Sequence, residues 1–142
     1  MNIKKIVIKD DYSQLEISSL YRFCDVYLAP SHGEGFGLPI AEAMLFSIPV
    51  ITTSWGGQND FVNEDNAWLI DYRFVLSCSH LKSLDSYWAE PDVEDLAKQI
   101  TKVYNSTPRE LSLKTDRALA KIESLTWDKV CLLYTSPSPR DK

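Results

Sequence analysis

Basic residues are in the minority in this 142-residue chain: 15 Lys and Arg stand against 20 Asp and Glu, a net charge of −5. No Lys/Arg stripe is present that would neutralise a run of phosphates, which argues against a nucleic-acid partner. Cysteine is scarce, with Cys24, Cys78 and Cys131 far apart and odd in number, and histidine scarcer still, with His32 and His80 alone. No zinc-ligand spacing can be assembled from these residues, so no metal is expected, and a reducing cytoplasm suits the pattern. Long apolar runs are missing as well. Ile6-Val7-Ile8 is cut off by Lys9, Asp10 and Asp11, far short of the roughly 18 residues that cross a bilayer, so neither a membrane span nor a secretory signal is expected. What remains, 44% hydrophobic and 25% charged, is enough apolar material for one compact core and excludes disorder or collagen over the whole chain.

The apolar pattern alternates between strand and helix. Ile3 to Ile8 reads as a strand, and Ser13 with Glu16 three residues later opens a helix with the capping-box pattern, its inner face being Ile17, Leu20, Tyr21 and Cys24. Val26 to Ala29 reads as a short buried strand that Pro30 ends. A loop with Gly33, Gly35 and Gly37 follows, and Pro39 starts the next helix at its first position. Val50 to Thr53 is a second buried strand, broken by Gly56-Gly57 at the corresponding place, and after a turn at Asn63 to Asn66 a further strand spans Ala67 to Ile70. Strands alternating with helices predict an α/β domain with a Rossmann-like parallel sheet. Ser77 to Ser86 is a polar loop, Tyr87 and Trp88 are expected under the long helix that Asp92 caps, and that helix carries Val93, Leu96, Ala97, Ile100, Val103 and Tyr104 at helical spacing. A last helix has Pro108 in its first turn and Leu111, Ala118, Leu119 and Ile122 inward, with Trp127 anchoring the end of the native fold. Residues 1–130 thus form one domain. From Cys131 the periodicity stops and Ser/Pro bias takes over; 131–142 resembles read-through of a sequencing adapter, with a native tail as the alternative, and is left out of the fold.

The chemistry concentrates between Pro30 and Met44. Without Cβ atoms at 33, 35 and 37 the backbone there can approach a ligand, and its amides, with the positive end of the following helix, suit a phosphate or diphosphate. A tight strand-to-helix turn whose glycines serve geometry alone is the competing reading. Two carboxylates tip the balance. Glu42, taken to lie in the first turn after Pro39, leans back toward the loop, where it would accept the hydroxyls of a ribose; complementing the helix dipole is its ordinary role. Glu34 sits inside an anion-binding loop, a costly place for an acid unless it meets something electron-poor or hydroxylic, such as a sugar C1 or its hydroxyls.

These residues resemble a family, the retaining GT-B glycosyltransferases grouped as glycosyl transferases group 1, or family 4. Glu34 to Glu42 matches the family's pattern of two glutamates separated by seven residues, filled here by Gly35-Phe36-Gly37-Leu38-Pro39-Ile40-Ala41. Glu42-Ala43-Met44, Ile48-Pro49-Val50-Ile51-Thr52-Thr53 and Gly56-Gly57 fall where the family has its helix, next strand and glycine pair. The resemblance is close over Asp25 to Val62 and continues at Trp88-Ala89-Glu90-Pro91-Asp92. It implies the second half of a C-terminal, nucleotide-sugar-binding GT-B domain. The donor would be a nucleoside diphosphate sugar, with no separate cofactor and no metal. Glu42 would hold the ribose, the backbone of Gly35, Phe36, Gly37 and Leu38 would meet the diphosphate or donor sugar, and Glu34 would lie near the anomeric carbon as nucleophile or electrostatic support. His32, Trp55, Gly56, Gly57 and Asp60 are further candidates, with His32 alternatively a solvated or capping residue and Trp55 alternatively packed on the sheet.

The departures are specific. Asp60 stands where the family has a glutamate after its glycines, Ser47 replaces its usual glycine, and the upstream Arg and Lys and the acceptor-binding domain have no counterpart before Met1. The resemblance therefore implies a partial domain, inactive alone, whose acceptor is unknown. A nucleotide-sugar epimerase on the same fold, or a binding module without catalysis, are the alternatives; the second would keep Glu42 useful and make Glu34 dispensable.

Overall fold

A computed structural model of the chain describes residues 11–77 and 86–125. The expectations for the strand at Ile3 to Ile8, for Cys78 and His80, for Trp127 and for 131–142 fall outside the described residues. The element order is α1 (Gln14–Phe23), β1 (Tyr27–Ala29), α2 (Leu38–Leu45), β2 (Val50–Thr53), a 3₁₀ turn (Gly57–Asp60), β3 (Trp68–Ile70), β4 (Tyr72–Leu76), β5 (Tyr87–Pro91), α3 (Val93–Asn105) and α4 (Pro108–Glu123).

The predicted parallel sheet is present. β1, β2 and β3 pair in that order, all parallel, with Tyr27 opposite Val50 and Ile51 opposite Trp68. β2 is central and buried at every position. Its side chains alternate between two cores, as a strand covered on both faces requires. Val50 joins Tyr21, Ile40, Met44, Phe61, Ala118 and Ile122 beneath α1, α2 and α4, whereas Ile51 joins Trp68 and Ile70 against Leu96 and Val103 of α3. Each such side chain, fully removed from water, stabilises the fold by about 1.5–3 kcal/mol.

Local chemistry sets the helix ends. Ser13 and Thr107 both form complete capping boxes, with Glu16 and Glu110, and Asp92 caps α3 through the amide of Asp95. At the far end of α2, Ile48 N–H donates to Ala43 O and Ser47 N–H to Met44 O, the paired bonds of a Schellman motif. That motif needs a left-handed residue, and Ser47 supplies it at φ 54°. The serine that departs from the family's glycine thus holds a glycine conformation.

Four expectations are corrected. Pro39 is the second residue of α2, after Leu38, so Glu42 is its fifth residue and lies in the second turn. The inner face of α3 is Leu96, Gln99 and Val103; Val93, Ala97, Ile100 and Tyr104 are exposed because the helix meets β3 along a narrower stripe. Cys24 ends α1 as an exposed C-cap. Finally, β4 and β5 form an antiparallel hairpin that the sequence reading missed, with Tyr72 opposite Pro91 and Leu76 opposite Tyr87. Trp88 therefore stacks on His32 instead of lying under α3, and Tyr87 is exposed. No described helix is long and apolar enough to cross a membrane.

Candidate functional site

β1 and β2 run parallel and each is followed by one glycine segment, so both segments emerge at the same edge of the sheet, beyond the carboxyl ends of the strands. Ligands of open α/β sheets collect at this edge. The two segments touch backbone to backbone: Gly57 N–H donates to Glu34 O at 2.9 Å. A Cβ on Gly57 would stand 1.8 Å from the carbonyl oxygen of Gly35, and one on Gly56, at φ 129°, would stand 3.0 Å from the Glu34 nitrogen. The pair is glycine because another main chain occupies the space a side chain would take.

The loop from Gly33 to Leu38 ends on Gly37, which is left-handed at φ 85° and caps α2; its carbonyl accepts from Ile40 and Ala41 N–H. Among the described residues, the amides of Phe36, Gly37 and Leu38 donate to no protein acceptor. Phe36 and Leu38 are exposed while Gly37 is buried. Phe36 leans its ring on the buried Phe61, 4.9 Å away between centroids, which fixes the loop over the core. The positive end of α2 faces these donors, so the place is electrostatically prepared for an anion.

Glu42 reaches this end in spite of its place in the second turn. Tyr21 O–H donates both to Glu42 Oε2 at 3.1 Å and to Pro39 O at 3.2 Å, so the carboxylate lies one turn back along the helix, as the lean of helical side chains dictates. Beyond the first turn the dipole contributes little, which weakens the ordinary explanation for this acid. Burial, and then the neighbouring charge of Glu42, push the Tyr21 phenol well above its usual range. The Tyr27 phenol is also raised, by burial first and then by the carboxylates of both Glu34 and Glu42. Both glutamates of the motif thus lie near enough to the Tyr27 phenol for their charges to act on it. Tyr21 is the member of the site that sequence reasoning missed. It was legible as a core position of α1, but its partner lies 21 residues away and no spacing rule connects them.

The remaining candidates separate. His32 is turned to the hairpin: its Nε2–H donates to Glu90 Oε2 at 2.8 Å, and its ring stacks on Trp88 at 4.3 Å. Trp55 packs against Phe74 and Tyr72 of β4 and stays 43% exposed, so it flanks the glycine pair. Asp60 ends the 3₁₀ turn on the surface. Beneath the glycine pair lies an unforeseen residue, Gln58, which is fully buried and donates through Nε2 to Thr53 O and Trp55 O. No cluster of three or more metal-ligating side chains exists among the described residues.

The sequence pattern that defines the glycosyl transferases group 1 matches residues 3–121. The chain is 34% identical over 68 residues to a D-inositol 3-phosphate glycosyltransferase of Xylanimonas cellulosilytica, a match covering 47% of this chain and 16% of that protein. It is 36% identical over 59 residues to a sulfoquinovosyl transferase of Arabidopsis thaliana, covering 42% of this chain and 12% of the relative. Among solved structures, the C-terminal domain of a glycosyl transferase group 1 protein from Francisella tularensis superposes with TM-score 0.59 at 24% identity, over 83% of this chain and 51% of that one. Sucrose-phosphate synthase of Thermosynechococcus elongatus gives 0.61 at 22% identity, over 84% of this chain and 26% of that one. These likenesses agree on the α/β fold of GT-B glycosyltransferases.

Proposed function

The chain belongs to the glycosyl transferases group 1, and on that premise we propose that its glycine-lined edge binds a nucleoside diphosphate sugar whose sugar is transferred, with retention, to an acceptor held elsewhere. The observation that carries this reading is the set of three uncommitted amides, Phe36, Gly37 and Leu38, at a helix N-terminus to which Tyr21 ties the Glu42 carboxylate. In this reading the amides hold the diphosphate. Glu42, braced by Tyr21, accepts the ribose hydroxyls. Glu34, joined through its carbonyl to Gly57, stands beside the anomeric carbon, where a carboxylate stabilises an oxocarbenium-like transition state. The chain spans 16% and 12% of the two relatives named above, so the acceptor site and the cations that neutralise a diphosphate are expected outside it.

The test is made on the full-length gene product. Glu42→Ala is expected to weaken nucleotide binding by about 10-fold or more, the scale of a lost charge-assisted hydrogen bond. Glu34→Ala is expected to depress kcat more than donor KM. Equal and negligible effects from both substitutions reject the assignment, and a product with inverted anomeric configuration rejects retention.

A further inference from the structure

The hairpin of β4 and β5 is held to the glycine edge by contacts that converge on the two residues preceding its glycines. His32 directly precedes Gly33, and three consecutive residues of β5 hold it in three ways. Trp88 stacks on its ring at 4.3 Å, Ala89 N–H donates to its carbonyl at 3.1 Å, and Glu90 Oε2 accepts from its Nε2–H at 2.8 Å. Trp55 directly precedes Gly56 and lies against Phe74 and Tyr72. The ladder register puts Trp88 and Glu90 on one face of the hairpin and Tyr72 and Phe74 on the other. The hairpin is therefore gripped on both faces, and the bond from Gly57 N–H to Glu34 O closes the ring of contacts. Arg73 stands directly opposite Glu90 in the ladder, yet the side-chain partner of the Glu90 carboxylate among the described residues is His32.

Resting on the donor-site reading above, we infer that Glu90 is a positioning residue for the donor loop, acting through His32. The segment from His32 to Gly37 has no regular structure of its own; besides the Phe36 ring on Phe61, its carbonyls at His32 and Glu34 accept bonds from neighbouring segments. Glu90 and Trp88 fix the first of these ties. Releasing it lets Glu34 and the amides of Phe36 to Leu38 drift, and small misplacements of such groups weaken ligand contacts out of proportion to the energy of the tie itself.

The experiment is nitrogen-15 NMR on the full-length gene product, reading two quantities: exchange of the Gly57 and Ala89 amides, and the shift of the Phe36, Gly37 and Leu38 amides on titration with inorganic pyrophosphate. Glu90→Ala and His32→Ala are each expected to accelerate exchange at Gly57 and Ala89 and to weaken pyrophosphate binding by about 3- to 30-fold, the scale on which misplaced ligand-holding groups lose contacts. Exchange in β2 should stay unchanged, which a general loss of stability would not leave alone. The double variant should be no worse than His32→Ala, because both act on one tie, and His32→Gln, which keeps a donor for Glu90, should recover part of the loss. Wild-type values in Glu90→Ala, or effects that multiply in the double variant, overturn the inference; Glu90→Gln decides if the alanine variant does not fold. Absence of pyrophosphate shifts in the wild-type full-length protein defeats the donor-site reading, and the exchange rates at Gly57 then decide the role of Glu90 by themselves.

Discussion

The two ends of the parallel sheet differ in what their polar groups are doing. At the end where the strands start, β3, α3 and α4 enclose an open cleft of about 680 Å³ lined by Lys102, Lys114, Gln99 and Glu110. Both of its lysines and Glu110 are already engaged. Lys114 Nζ donates to the carbonyls of Glu64 and Ala67 at 2.5 and 2.8 Å and lies over the Trp68 ring, Lys102 donates to Gln99, and Glu110 caps α4. At the other end, around the two glycine segments, main chain packs directly on main chain, amide donors are uncommitted and Tyr21 ties the Glu42 carboxylate to the start of α2. The described cleft and the uncommitted donors thus lie in different places. Unsatisfied, oriented donors are the stronger mark of a candidate site, because a ligand gains free energy from groups that gain a partner on binding.

That contrast can be broken by substitution, most severely at Gly57. A methyl group there meets the Gly35 carbonyl oxygen at 1.8 Å, so Gly57→Ala is expected to destabilise by about 3 kcal/mol or more, while Gly35→Ala, with nothing within 4 Å of its Cβ, should cost under about 1 kcal/mol. Comparable denaturation midpoints for the two variants would dissolve the claim of backbone-to-backbone packing. At the opposite end, Lys114→Ala should cost about 1.5–3 kcal/mol through its two bonds to carbonyls and leave pyrophosphate affinity unchanged; a change in that affinity would join the two ends functionally. Ser47→Gly relieves a left-handed serine far from the glycine edge and should stabilise by about 1 kcal/mol, read as a higher urea midpoint with no shift at Phe36 to Leu38.

The smallest effect concerns a carboxylate whose bonds are all internal. Asp95 accepts from Asp71 N–H, which holds its pKa below the usual 3.8. The unfolded chain then binds more protons in that interval, so stability rises with pH there. The contribution is complete above 3.8 and lost as pH falls through the folded value. Asp95→Asn should flatten the acid limb of a urea-midpoint series; an unaltered limb would remove Asp95 from the account.

Much of the fold was legible. Val50 to Thr53 reads as a strand from its unbroken β-branched run, and it is one at the same boundaries, because a central parallel strand is apolar on both faces and carries its signal locally. Ser13 and Asp92 announced helix starts for the same reason, since a cap is a contact across three residues, and Pro108 marked the first turn of α4, whose cap Thr107 the reading did not name. The hairpin was not legible. Tyr72 to Leu76 carries Arg73 in its middle and has an exposed aromatic face, and its pairing with Tyr87 to Pro91 is set by partners in neither strand, namely His32 and Trp55. The face of α3 was misread because a polar residue, Gln99, is buried where its amide finds Asp95 and Lys102.

The same division runs through the site. Order along the chain was enough to put a glycine loop after one strand, a glycine pair after the next, and Glu34 and Glu42 eight residues apart across a helix start, since strand, turn and helix are local consequences of side-chain size and backbone freedom. Order along the chain did not say that Gly57 would hold Glu34, that Tyr21 would brace Glu42, or that His32 would turn to Glu90 instead of to the loop it precedes. Those pairings join residues 21 to 58 positions apart, and contacts between such distant positions are chosen by how the packed layers meet, which no local preference encodes.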